Sequence, residues 1–103
     1  MSELDLLVLG DANPDVIVSA PGLEPQFGQA EQLVDSAALV VGGSGAITAM
    51  GAARLGLRVG LCAVVGNDDL GRLMTVKLTE AGVDLRHLVV DAHRPTGMSV
   101  ILN

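Results

Sequence analysis

Two consecutive helix–glycine–strand units, residues 52–59 and 79–90, constrain this chain more than any other feature of its sequence. In the first, a stretch rich in Ala and other small residues meets Gly56 and then the strand-like run that begins at Arg58. In the second, Leu70, Leu73, Met74, Leu78 and Ala81 fall on one helical face before Gly82. Glycine accepts the left-handed backbone that ends helices, so Gly56 and Gly82 read as helix terminators. With an apolar run at residues 4–9, the order becomes strand–helix–strand–helix–strand. That alternation implies right-handed crossovers and a mostly parallel sheet flanked by helices, an α/β fold.

The remaining segments fit between these units. Residues 4–9 read as a buried strand closed by the turn formers Gly10, Asp11, Ala12, Asn13 and Pro14. Residues 15–19 suggest a second short strand, and the Pro, Gly and Gln of residues 20–32 a surface excursion. Residues 34–41 look extended and run into Gly42-Gly43-Ser44-Gly45. A helix is expected over 44–55, its small residues letting it sit close to a sheet. A strand is expected over 58–65, then a helix capped by Asn67-Asp68-Asp69. Residues 83–90 and 96–102 read as the last extended segments. A length of 103 residues argues for one domain at most.

Composition narrows the function classes. Half the residues are apolar yet Phe27 is the only aromatic, so the core is expected to consist of Leu, Val, Ile, Ala and Met. The formal charge of −6 repels phosphate backbones, and without Trp or Tyr there is no platform for stacking bases. Nucleic acid is therefore not an expected partner. No basic amphipathic segment points to a membrane surface, and no apolar run approaches the length of a span. The start, Met1-Ser2-Glu3-Leu4-Asp5, lacks the charge and apolar run of a signal peptide, so a cytoplasmic protein is expected.

Several groups invite a functional reading that simpler physics covers. Cys62, the single cysteine, stands in an apolar run and is expected to pack as a buried small hydrophobe. His87 and His93 have no Cys or His cluster near them in sequence, so no metal site is expected. Asp68 and Asp69 fit capping and helix-dipole complementarity better than acid–base work.

The glycine cluster at 42–45 lies between a strand and a helix, where backbone N–H groups can approach a ligand. It is not a Gly-x-Gly-x-x-Gly fingerprint, because Thr48 stands where the last glycine would be, and no Gly-Lys-Ser/Thr follows. A tight strand-to-helix turn without function fits these residues equally well. An unrelated nucleotide-binding α/β domain built on this turn is another reading.

The wider run is more specific. Gly42, Gly43, Gly45, Ala49, Gly56 and Gly66 fall into the register of the first signature of the ribokinase-type (PfkB) carbohydrate kinases, which this chain resembles. Leu9-Gly10-Asp11-Ala12-Asn13-Pro14-Asp15 is similar to that family's opening strand and turn. Glu80-Ala81-Gly82-Val83-Asp84 and Pro95-Thr96-Gly97-Met98 match later segments in the family's order. The resemblance implies a partial ribokinase-like fold, a mostly parallel sheet with flanking helices plus short lid-type strands. Residues 1–103 would be its N-terminal, sugar-side part.

The resemblance makes Asn13 and Asp15 the residues that hold sugar hydroxyls. A carboxylate accepts two vicinal hydroxyls, and an amide both donates and accepts. Backbone N–H groups at Gly43 and Ser44 would add donors. Read without the family, Asn13-Pro14-Asp15 is an ordinary Asx-type turn. One position departs: Ile47 occupies the family's asparagine, and each sugar group left unpaired against it would cost about 1–3 kcal/mol. Either the substrate is less polar there, as a nucleoside would be, or tight binding has been lost.

The family's second signature, of the Asp-Thr-x-Gly-Ala-Gly-Asp type, supplies the base and the nucleotide turn and has no counterpart in this sequence. No catalytic residue is expected among these residues. ATP and Mg²⁺ are implied for a complete protein, with neither expected to bind this chain tightly. The expected activity is phosphorylation of a carbohydrate or nucleoside hydroxyl; the rival is a non-catalytic binding or assembly module on the same fold. A sheet ending near Ile101 would leave an open edge, so self-association or a missing C-terminal part is expected as partner.

Overall fold

The computed structural model describes residues 3–103; Met1 and Ser2, with which the stretch read above for a signal peptide begins, lie outside them. The elements run β1 (Leu6–Leu9), β2 (Asn13–Ser19), β3 (Ser36–Gly42), α1 (Ser44–Arg54), β4 (Val59–Cys62), β5 (Val64–Gly66), α2 (Asp69–Glu80), β6 (Val89–Asp91) and β7 (Ser99–Leu102). β1 pairs with β4 and β5 pairs with β6, both in parallel. A second, three-stranded sheet has the order β3-β2-β7, with β2 antiparallel to β3 and parallel to β7.

Both helices end as their glycines require. Gly56 and Gly82 have φ of 91° and 89°. Beyond α2, the N–H of Val83 donates to the carbonyl of Leu78 at 3.0 Å and that of Gly82 to Thr79 at 3.0 Å. Beyond α1, Leu57 donates to Ala52 and Gly56 to Ala53. These paired bonds satisfy carbonyls that a helix end otherwise leaves open, and they turn the chain back toward the sheet. Ala46 and Ala49 of α1 and Met74 and Leu78 of α2 are wholly buried, in one core with Val59, Leu61 and Val65.

Three expectations need correction. The strand expected over 58–65 divides at Ala63, because its first part pairs with β1 and its second with β6. Residues 83–90 are extended only at a bridge between Asp84 and Gly60 and again in β6. Between them the Asp84 carboxylate accepts from the N–H of Arg86 at 3.0 Å and from its guanidinium at 2.8 Å. That local bonding competes with the ladder and bends the chain into a turn. The segment Asn13-Pro14-Asp15 is no Asx turn but the start of β2. Pairing with β7 begins only at Asp15, so the missing N–H of Pro14 breaks no ladder on that side. β7, the last strand, is an open edge as expected, here of the three-stranded sheet.

Candidate functional site

The parallel strands β1 and β4 end together at Leu9 and Cys62, and open α/β sheets bind ligands beyond such carboxyl ends. Here the turn after β1 lies directly against the start of α1. The Ala46 N–H donates to the carbonyl of Asp11 at 2.9 Å. The backbones are so close that a Cβ at Gly45 would lie 2.9 Å from the Asp11 nitrogen. Gly43 takes a φ of 89° and a Cβ there would lie 2.7 Å from the Asp11 carbonyl oxygen, so glycine is needed for both conformation and space. α1 starts without a side-chain cap. Ala46 and Ile47 use their N–H groups on Asp11 and Gly43, which leaves that of the exposed Ser44 open at the helix start.

Asn13 and Asp15 stand two apart on β2 and therefore share a face of the three-stranded sheet. Both are half-buried, and neither side chain makes a hydrogen bond among the described residues. The Asp15 carboxylate lies over Gly42: a Cβ there would fall 2.6 Å from Oδ1. The Asn13 carboxamide lies against Gly97, where a Cβ would be 3.1 Å from Oδ1. Below Asn13 an open cleft of about 260 Å³ is lined by Gly10, Asp11, Ala12, Cys62, Ala63, Val64 and Val89. Cys62 is thus half-buried at this cleft rather than sunk in the core as expected.

The structure places the four candidate contacts as follows. Asn13 and Asp15 project from one face of β2, Gly43 caps α1, and the exposed Ser44 is its first residue. Gly42 belongs with Asp15 more directly than Gly43 does, a closeness that the antiparallel register creates and no local motif announces. Ile47 is 56% exposed. It lines a different groove of about 350 Å³ with Leu39, Val40, Val41, Met50, Arg54 and Lys77.

Residues outside the expected set tie the site together. Asp68, the N-cap of α2, accepts from the Gly71 N–H at 2.8 Å, as the sequence suggests. It also accepts from the N–H and the hydroxyl of Thr96, at 2.8 and 2.6 Å. These bonds, the Thr96 hydroxyl foremost, hold the Asp68 carboxyl below the usual carboxylate range. Among the described residues no three His, Cys, Asp or Glu side chains gather as a metal-binding group.

Comparison with known proteins identifies the family. Residues 3–103 match the family described as pfkB family carbohydrate kinase. Ribokinase of Haemophilus influenzae is 34% identical over 100 residues, which cover 93% of this chain and 31% of that protein. The 5-dehydro-2-deoxygluconokinase of Shouchella clausii is 34% identical over 89 residues, 86% of this chain and 26% of the relative. The structure of Arabidopsis thaliana ribokinase complexed with ribose and ATP superposes with a TM-score of 0.86 at 28% identity, over 98% of this chain and 32% of that one. The chain spans less than a third of the length of each.

Proposed function

The chain belongs to the pfkB family of carbohydrate kinases, and we propose that it forms the substrate-binding portion of an ATP-dependent kinase acting on a carbohydrate or nucleoside hydroxyl. The observation that carries this reading is the pair Asn13 and Asp15, unpartnered on one sheet face beside Gly42 and Gly97. The Asp15 carboxylate accepts two adjacent substrate hydroxyls, and the Asn13 carboxamide donates to one and accepts from another. Backbone N–H groups at Gly43 and Ser44 add donors at the helix start, where developing negative charge is favoured. The names of the relatives support a sugar as substrate.

Phosphoryl transfer depends on positioning, metal and electrostatic stabilisation. The sequence carries no phosphate loop of the Gly-Lys-Ser/Thr type and no counterpart of the family's second signature. The family resemblance assigns the base, the nucleotide and its metal to parts of the protein other than residues 1–103, and these residues alone are expected not to turn over substrate. The cytoplasm, where ATP is made available to such kinases, is the proposed compartment. Apolar surface left open on the three-stranded sheet is the proposed contact with the rest of the protein or with another copy.

The test is thermal stabilisation by D-ribose, 5-dehydro-2-deoxygluconate and adenosine. At ten times its dissociation constant a ligand should raise the melting temperature of a chain of ~100 residues by roughly 5–10 °C. Asp15→Ala should abolish the shift while the unliganded melting temperature stays within a few degrees. Phosphorylation of the same compound by the natural protein with ATP would complete the case. Stabilisation without turnover in that protein would favour the binding-module reading, and a shift that survives Asp15→Ala would move the site elsewhere.

A further inference from the structure

Thr96 is the buried polar side chain of the described residues, 7% exposed, and its bonds reach further than a structural threonine requires. Capping α2 needs only the bond from Gly71 to Asp68. Asp68 nevertheless accepts two more from Thr96, a residue 28 positions away. The Thr96 hydroxyl in turn accepts from the N–H of Gly66 at 2.8 Å. One carboxylate and one hydroxyl thus join the end of β5, the start of α2 and the approach to β7.

Packing leaves this knot no slack. A Cβ at Gly66 would lie 2.5 Å from the Thr96 nitrogen, and one at Gly71 would lie 3.0 Å from the Thr96 hydroxyl. The residue after Thr96 is Gly97, which walls the Asn13 carboxamide. Two residues further, Ser99 registers with Asp15. Thr96 is thus one residue from the glycine that faces Asn13 and three from the serine in register with Asp15.

We propose that Asp68 and Thr96 are positioning residues of the substrate site, fixing the Asn13 carboxamide and the Asp15 register through Gly97 and β7. The proposal rests on reading the Asn13–Asp15 face as that site. Hydrogen bonds to a carboxylate are shorter and stronger than neutral ones, so the clamp holds where a neutral contact would drift. Small displacements matter at such a site: a misplacement of about 1 Å can cost as much as 100-fold in rate.

The experiment uses the protein as its own gene encodes it, with Thr96→Val, Thr96→Ser and Gly97→Ala. Thr96→Val removes the hydroxyl at nearly constant volume, Thr96→Ser keeps it, and Gly97→Ala adds a methyl against Asn13 without touching the clamp. The ¹⁵N signals of the Asn13 side-chain amide should shift or broaden in Thr96→Val and Gly97→Ala and stay in place in Thr96→Ser. The KM for whichever of the three named compounds is turned over should rise about tenfold in the first two, with the KM for ATP unchanged. A lower melting temperature in Thr96→Val with Asn13 signals and sugar KM unchanged would reduce the clamp to a fold-stabilising contact and overturn the proposal. If none of the three compounds binds or reacts, the proposed substrates fail, while the Asn13 signals still decide the clamp by themselves.

Discussion

Asp15 and Gly42 meet diagonally across the β2–β3 ladder, and only the absence of a side chain at Gly42 lets the carboxylate lie where it does. The atoms that a new Cβ would meet are the end of a flexible side chain, so the fold can absorb it by swinging Asp15 away. Gly42→Ala is therefore expected to keep the melting temperature within a few degrees and to weaken ligand binding by more than tenfold, read by calorimetric titration. Asp68 makes a different prediction. Its folded pKa lies below the unfolded value of about 3.9 because Thr96 and Gly71 donate to the charged form. The stability it adds is present in full above that unfolded value and is lost as pH falls through the lower folded one. Asp5 beside Arg58 and Asp84 beside Arg86 act in the same direction. Asp68→Asn should consequently flatten the loss of stability below about pH 4, measured by urea unfolding across that range. A loss as steep as that of the parent would remove Asp68 from the acid response.

At the scale of elements, the helix ends carry most of what the sequence states locally. Nothing lies within 4 Å of a Cβ built at Gly82, so the cost of a substitution there is conformational alone. Gly82→Ala at φ 89° should destabilise by about 1–2 kcal/mol in urea unfolding, with no change in ligand affinity. Such terminators were legible because a glycine after a periodic apolar face needs no distant partner to be read. The cap at Asp68 was legible for the same reason. The pairing of Asn13-Pro14-Asp15 was not, since turn-forming residues became a strand only through β3 and β7. Asp84 erred in the opposite sense, its side chain bending a segment whose apolar run looked extended. The Thr96 clamp joins residues 28 apart and has no local signature beyond a threonine before a glycine. Asn13 and Asp15 could be singled out through resemblance, whereas their closeness to Gly97 and Gly42 needed the register.

The whole molecule is flat, 52 × 32 × 18 Å, with a radius of gyration of 15.8 Å against about 13 Å for a compact chain of this length. Its accessible surface of 6748 Å² exceeds the roughly 5,400 Å² expected of a folded monomer of this mass. Part of the exposed apolar surface lies on the three-stranded sheet. Leu39 and Val40 of one edge strand and Val100, Ile101 and Leu102 of the other are each at least 40% exposed. Both outer strands also present unpaired backbone groups, and apolar edges of that kind recruit further strands. The core of β4, α1 and α2 is by contrast closed, with Leu61, Met74 and Leu78 wholly buried, so the exposed area does not reflect a failure to fold. Residues 1–103 on their own should therefore fold and associate: sedimentation velocity should show the weight-average coefficient rising with concentration. Lys in place of Val100 or Ile101 should lower that rise while leaving the melting temperature within a few degrees. A single monomeric boundary at every concentration up to the millimolar range would show that the open sheet is tolerated without a partner.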